Sequence, residues 1–142
     1  MNPKILQLQK QIAQGLASAM TEPWERIVVN LETAIMPDGR DVNCLFFYIS
    51  SSGDDGFKET SVQKLPDDVT NCFVELNDAM VESEGDRWGT CDFVLDNSGK
   101  FDFKYDYGLP RRLNCVFDDT SMGRFDNYLD TYRAERAAEK GA

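Results

Sequence analysis

WGTCDFVLDNSGKFDFKYDY, residues Trp88 to Tyr107, is the stretch whose reading decides the fold. Cys91, Phe93 and Leu95 alternate before Asp96-Asn97-Ser98-Gly99-Lys100, and Phe101, Phe103, Tyr105 and Tyr107 alternate after it. Period-two alternation on both sides of a turn signal predicts a β-hairpin. A three-residue Asn97-Ser98-Gly99 loop with Gly99 in the left-handed region sets Asp96 opposite Lys100. The register that follows pairs Leu95 with Phe101, Phe93 with Phe103 and Cys91 with Tyr105, giving one apolar face. Asp92 then faces Lys104 and Val94 faces Asp102 on the other, where a cross-strand Asp92–Lys104 ion pair is expected.

Upstream of the hairpin the period changes. Val69, Cys72, Phe73, Leu76 and Met80 recur at helical spacing, and Asp67 and Asp68 suit a helix N-terminus, so a helix is predicted over about 67–82. At the start of the chain, Asn2 caps and Pro3 opens another. Its stripe is Ile5, Leu8, Ile12, Leu16 and Met20, most simply packed on a sheet. Thr21-Glu22-Pro23 stops that helix. Ile27, Val29, Leu31, Thr33 and Ile35 then alternate with Arg26, Val28, Asn30, Glu32 and Ala34, the pattern of a half-buried strand. Pro37 to Arg40 is a turn, and Val42 to Ile49, apolar on both alternating sets, reads as a central strand covered on both faces. A polar loop over 50–56 precedes a weaker strand from Phe57 to Gln63, suited to a sheet edge. Beyond Tyr107, Leu113–Phe117 reads as a short extended piece. Phe125, Tyr128, Leu129 and Tyr132 mark a last helix, with fraying expected from about 134. The fold class is α+β: a mainly antiparallel five-stranded sheet with N-terminal, middle and C-terminal helices, in the order α-βββ-α-ββ-α and as one domain over 1–142.

Composition excludes several chemistries. With 25 acids against 15 bases the chain carries a formal charge of −10, which disfavours direct contact with nucleic acid or an anionic membrane. No histidine occurs, and Cys44, Cys72, Cys91 and Cys115 form no CxxC pair, so metal-site spacings are absent and no cofactor is expected. The cysteines are expected as buried, reduced core residues of a cytoplasmic protein, since no secretory signal or spanning segment is present. Trp24 and Trp88 are expected in the core where strands begin. Neither a GxSxG serine nor a phosphate-binding loop occurs. The carboxylate pairs Asp54-Asp55, Asp67-Asp68 and Asp118-Asp119 fall in turns or caps, where they are poorly placed for catalysis. Arg111-Arg112 reads as a salt-bridging pair.

The uneven distribution of charge is the stronger signal. Between Leu65 and Asp86 stand seven acids, Asp67, Asp68, Glu75, Asp78, Glu82, Glu84 and Asp86, and no lysine or arginine. Like charges repel, so folding stability does not explain the concentration. A solvated helix face is one reading. The other is an electrostatic docking surface for a basic protein, on which Asp68, Glu75, Asp78, Glu82, Glu84 and Asp86 are the candidate contact residues. The hairpin's own acids are expected to be matched by Lys100 and Lys104.

The layout resembles the YezG-like antitoxins, immunity proteins of bacterial polymorphic toxin systems that include contact-dependent inhibition. The likeness rests on Trp24 with Arg26-Ile27-Val28-Val29, on Leu45-Phe46-Phe47-Tyr48, and above all on Trp88-Gly89-Thr90, Leu95 to Phe101 and Phe103-Lys104-Tyr105-Asp106. It covers about residues 5–107. A tryptophan common in that family after the Tyr-Asp strand is missing from Arg112–Phe117, which leaves the C-terminal third unassigned. The resemblance implies a non-enzymatic cytoplasmic protein that binds and neutralises the C-terminal domain of a cognate toxin, commonly a nuclease. A non-inhibitory adaptor module is the alternative. Oligomeric state is not readable.

Overall fold

A computed structural model of the protein describes residues 2–53 and 56–141. The chain runs α1 (Pro3–Ala19), β1 (Arg26–Met36), β2 (Gly39–Gly53), β3 (Gly56–Ser61), α2 (Asp67–Glu84), β4 (Thr90–Asp96) and β5 (Phe101–Asp106). A 3-10 turn (Arg112–Asn114), a π turn (Asp119–Gly123), a short α3 (Arg124–Asp126) and α4 (Tyr128–Gly141) complete it. The five strands form one antiparallel sheet in the order β3-β2-β1-β4-β5, which agrees with the predicted class and element order. Asp54-Asp55 lies outside the described residues.

The 88–107 hairpin forms in the predicted register, Leu95 to Phe101, Phe93 to Phe103 and Cys91 to Tyr105. Asp96 N–H donates to the Lys100 carbonyl at 2.9 Å, and Gly99 N–H donates to the Asp96 carbonyl at 2.9 Å. Gly99 stands at φ 93°, where a side chain would be strained. Phe93 and Phe103 meet with ring centroids 4.7 Å apart, and Phe73 of α2 closes edge-on over Phe93 at 6.3 Å.

Asn2 caps α1 as expected, its Oδ1 accepting from Lys4 N–H at 2.9 Å. The stripe Ile5, Leu8, Ile12 and Leu16 is buried against Val69, Phe73, Leu76 and Met80 of α2 and against Ile27, Val29 and Leu31 of β1. The two helices approach closely at Gly15, where a Cβ would stand 2.8 Å from Val69 Cγ2. Trp88 is fully buried in this core, while Trp24 is half-buried at its margin.

The opposite face of the sheet corrects the half-buried reading of β1. Residues 27–33 of β1 are all buried, including the polar Asn30, Glu32 and Thr33. The physical cause is the C-terminal segment, which folds back across that face. Val28 and Phe47 pack there with Phe125, and Tyr128 meets Phe47 edge-on at 5.3 Å. Leu113–Phe117 is not extended. It continues from the 3-10 turn through Cys115 at φ 61°. Helix α4 runs on past Arg133, and its Glu135 accepts from Arg26 Nη1 at 2.9 Å.

Candidate partner-binding surface

Helix α2 presents its acids outward because its apolar stripe is committed to the core. Asp68, Glu75, Asp78 and Glu82 follow one another at helical spacing on a single exposed face, and Glu84 and Asp86 are exposed at its C-terminal end. Gly85 ends the helix in the left-handed conformation at φ 88°, its N–H donating to the Val81 carbonyl at 2.8 Å. No basic residue lies in the last turn, so the acids there stand beside the negative end of the helix dipole.

One of these acids is not free. Asp78 accepts from Arg87 Nη1 at 2.6 Å and from Arg40 Nη2 at 2.7 Å. The hydrogen bond from Arg87 holds its carboxyl below the ordinary aspartate value, with Arg40 acting in the same direction against partial desolvation. Arg87 also donates to Asn77, which is fully buried and gives its own Nδ2 to the Trp88 carbonyl at 2.8 Å. Asp67 pairs with Lys64 at 3.1 Å, and Glu84 accepts from the Tyr107 hydroxyl at 3.2 Å. The helix therefore does have counter-charges, but they arrive from β2 and from the loops before and after α2.

On the hairpin the expected Asp92–Lys104 ion pair is replaced. Although the two residues are cross-strand partners, Asp92 pairs with Arg124 Nη2 at 2.9 Å and accepts from Asn30 Nδ2. The π turn carries Arg124 onto the sheet, where its fork fits a carboxylate better than a flexible lysine.

Beside that contact lies the group that sequence reasoning missed. Arg112 is buried on the outer face of the sheet, its side chain 4% exposed, and stands 3.3 Å from Glu32, whose side chain is 2% exposed. Its Nε donates to Asn43 Oδ1 at 2.6 Å, and Nη1 donates to Asn30 Oδ1 at 2.6 Å and to the Ser121 carbonyl at 3.0 Å. Glu32 accepts in turn from Leu113 N–H at 3.0 Å. Burial pulls the Arg112 pKa down while Glu32 pulls it up, leaving it below its ordinary value. The neighbouring Arg111 is half-exposed and pairs with Asp106 at 3.3 Å and Asp118 at 3.4 Å. A polar glutamate and asparagine inside an otherwise apolar central strand were the only signal for this cluster. Its Asn30, Glu32 and Ser121 line a cavity of about 290 Å3 together with Lys104 and the ion pairs Arg124–Asp92 and Arg111–Asp106.

The cysteines divide. Cys91 is buried, and burial raises its thiol well above the ordinary range; Cys44 is half-buried and pushed up to about 12. Cys72 is half-buried, and Cys115 is exposed, contrary to expectation, because its loop is folded outward instead of adding to the sheet. Among the described residues no three His, Cys, Asp or Glu side chains gather as a metal site, and no helix is long and apolar enough to cross a membrane.

Compared with known families, the chain matches one family model, described as "Immunity protein YezG-like", over residues 5–122. The match extends past the hairpin through Arg112 and Ser121, so the outer-face cluster belongs to the matched region. No curated protein matches the chain at a significant level.

Proposed function

The chain belongs to the YezG-like immunity protein family, and from that premise we propose that it neutralises a cognate toxin's C-terminal domain by stoichiometric binding, the target being a basic nuclease. Inhibition is by contact and not by catalysis, in the cytoplasm, with no direct role for nucleic acid, membrane or cofactor.

The observation that carries this reading is the placement of negative charge on α2. Glu75, Asp78 and Glu82 repel one another at three- and four-residue spacing, and Glu82 and Glu84 stand in the last turn with no base beside them. Glu75, Glu82 and Glu84 thereby cost helix stability, whereas the cost at Asp78 is offset by its pairs with Arg87 and Arg40. A basic partner removes that cost on binding and is drawn in by the same field. Asp68, Glu75, Glu82, Glu84 and Asp86 are the residues assigned to this contact, with Asp78 sharing its carboxylate between the partner and two arginines.

The test is charge reversal at Glu75 and Glu82, measured against the toxin domain encoded beside this protein's gene. Association slows at low salt and the difference shrinks at high salt. An association rate equal to wild type at low salt contradicts the assignment of α2.

A further inference from the structure

Among the described residues eight large apolar side chains remain exposed, and seven of them lie at one end of the sheet. Ile35, Met36 and Val42 form the tip of the β1–β2 hairpin, 56%, 42% and 38% exposed. Leu109, Val116 and Phe117 stand in the loop after β5, 81%, 43% and 66% exposed, with Tyr107 at its start. Four hydrogen bonds bring these two segments to the same end. Arg112 reaches Asn43, next to Val42; Leu113 N–H reaches Glu32; and Thr33 N–H donates to the Gly89 carbonyl at 2.9 Å, while Gly89 N–H donates to Asp106. The exit of α2 joins them through the Tyr107–Glu84 hydrogen bond.

We propose that this apolar end, rimmed by Asp38, Asp41, Glu84, Asp86 and Asp118, is the face on which a basic partner domain seats apolar side chains. The inference rests on the immunity reading and specifies the surface it uses. An apolar centre with a polar rim is the anatomy of a protein interface, and single exposed leucines scattered over a surface would not produce it. Charge selects the occupant. The rim is acidic, and the arginines near it, Arg40, Arg87 and Arg111, are each already paired, Arg111 in part with the rim's own Asp118, which leaves Asp38, Asp41, Glu84 and Asp86 as its net charge. A second copy of a chain with formal charge −10 would set acid against acid, and an anionic membrane would be repelled in the same way.

The loop is also held in place before any partner arrives. Buried Arg112 fixes one side, Val116 N–H donates to the Arg111 carbonyl at 2.8 Å, and Asp118 and Ser121 cap each other reciprocally at 2.9 Å. Exposed apolar groups on an anchored loop lose little conformational freedom on docking, so their burial appears as affinity.

The experiment measures binding of the toxin domain encoded beside the gene by calorimetry, for wild type, Leu109→Ser, Phe117→Ser and the double variant, with Leu6→Ser on α1 as control. Phe117→Ser weakens binding at least about tenfold and the double variant about a hundredfold, while Leu6→Ser binds as wild type. All four retain the wild-type melting temperature to within a few degrees, because the replaced side chains are exposed. Unchanged affinity of the double variant beside a binding wild type overturns the surface but not the immunity reading. A wild-type chain that does not bind at all overturns the reading, and the surface falls with it. A dimer of the free chain that Phe117→Ser dissociates assigns the face to self-association and also overturns the proposal.

Discussion

Replacing Arg112 with methionine removes the guanidinium while keeping most of the apolar stem. What remains is a carboxylate, Glu32, whose side chain is 2% exposed and which keeps only the Leu113 N–H as a donor. Asn30 Oδ1, Asn43 Oδ1 and the Ser121 carbonyl also lose their donor. Breaking one partner of a buried pair costs about 3–5 kcal/mol, because the surviving charge has neither water nor a counter-ion. With an unfolding entropy of about 2.1 cal/mol/K per residue, the 142-residue chain loses about 0.3 kcal/mol per degree, so the melting temperature falls by about 10–17 °C. Urea unfolding followed by circular dichroism measures the same loss as a lower midpoint at unchanged slope. Adding Glu32→Gln to Arg112→Met recovers part of it, a coupling of about 1–3 kcal/mol, since the uncompensated charge is gone. Arg111→Ala, one residue away, costs less than about 1 kcal/mol, because that pair is half-exposed. An Arg112→Met protein within about 1 kcal/mol of wild type would refute the reasoning, for it would mean that the arginine is solvated.

Three further outcomes follow from local geometry. Gly89→Ala destabilises by about 1–3 kcal/mol in the same unfolding assay, because the added Cβ would stand 2.7 Å from the Gly108 carbonyl and 2.9 Å from Pro110 Cδ, backbone and ring atoms that cannot swing away. Ser50→Ala is neutral or stabilising within about 0.5 kcal/mol, since the Ser50 hydroxyl is buried and has no hydrogen-bond partner among the described residues. Asp78 titrates below its ordinary value of 3.8 in the folded protein, so its stabilisation is complete above the unfolded pKa and is lost as pH falls through the lower folded one. Asp78→Asn therefore lowers stability at neutral pH and changes it little below both pKa values, which a pH series of melting temperatures reads directly.

The contrast between Arg111 and Arg112 shows where the sequence was legible and where it was not. Helix α1, helix α2 and the register of β4 with β5 follow from local periodicity and from one turn, Asn97-Ser98-Gly99, so they could be read from residues close together in the chain. The edge position of β3 followed in the same way from its few apolar anchors. Burial of Glu32 depends on a segment 80 positions later, and nothing within β1 records that Arg112 will cover it. Ion pairing was illegible for the same reason. Asp92 faces Lys104 across the strand pair as predicted, yet its charge goes to Arg124, which only the back-folded C-terminal segment brings within reach. Likewise the acids of α2 looked unmatched within their own segment, and Asp78 meets Arg40 because the β1–β2 hairpin carries it over the helix. Of the candidate surface, the acidic stripe was legible as composition. The exposed apolar end beside it was not, because Leu109, Val116 and Phe117 acquire their meaning from a loop whose shape is set by the Arg112 anchor.

These two levels bear on function differently. The two helices packed on the inner face make the scaffold, and a scaffold of this kind carries no activity by itself. The surface proposed for the partner combines a strongly acidic helix exit with an anchored, apolar loop at the same end of the sheet. As proposed, that surface gains association rate from its field and residence time from its apolar centre.

The central claim is tested most directly by expressing the adjacent toxin domain in growing cells with and without this protein and isolating the complex. The account predicts restored growth and a stoichiometric complex of the two chains whose association slows as salt is raised. Growth arrest that persists in the presence of the folded protein, with no complex recovered, would contradict it.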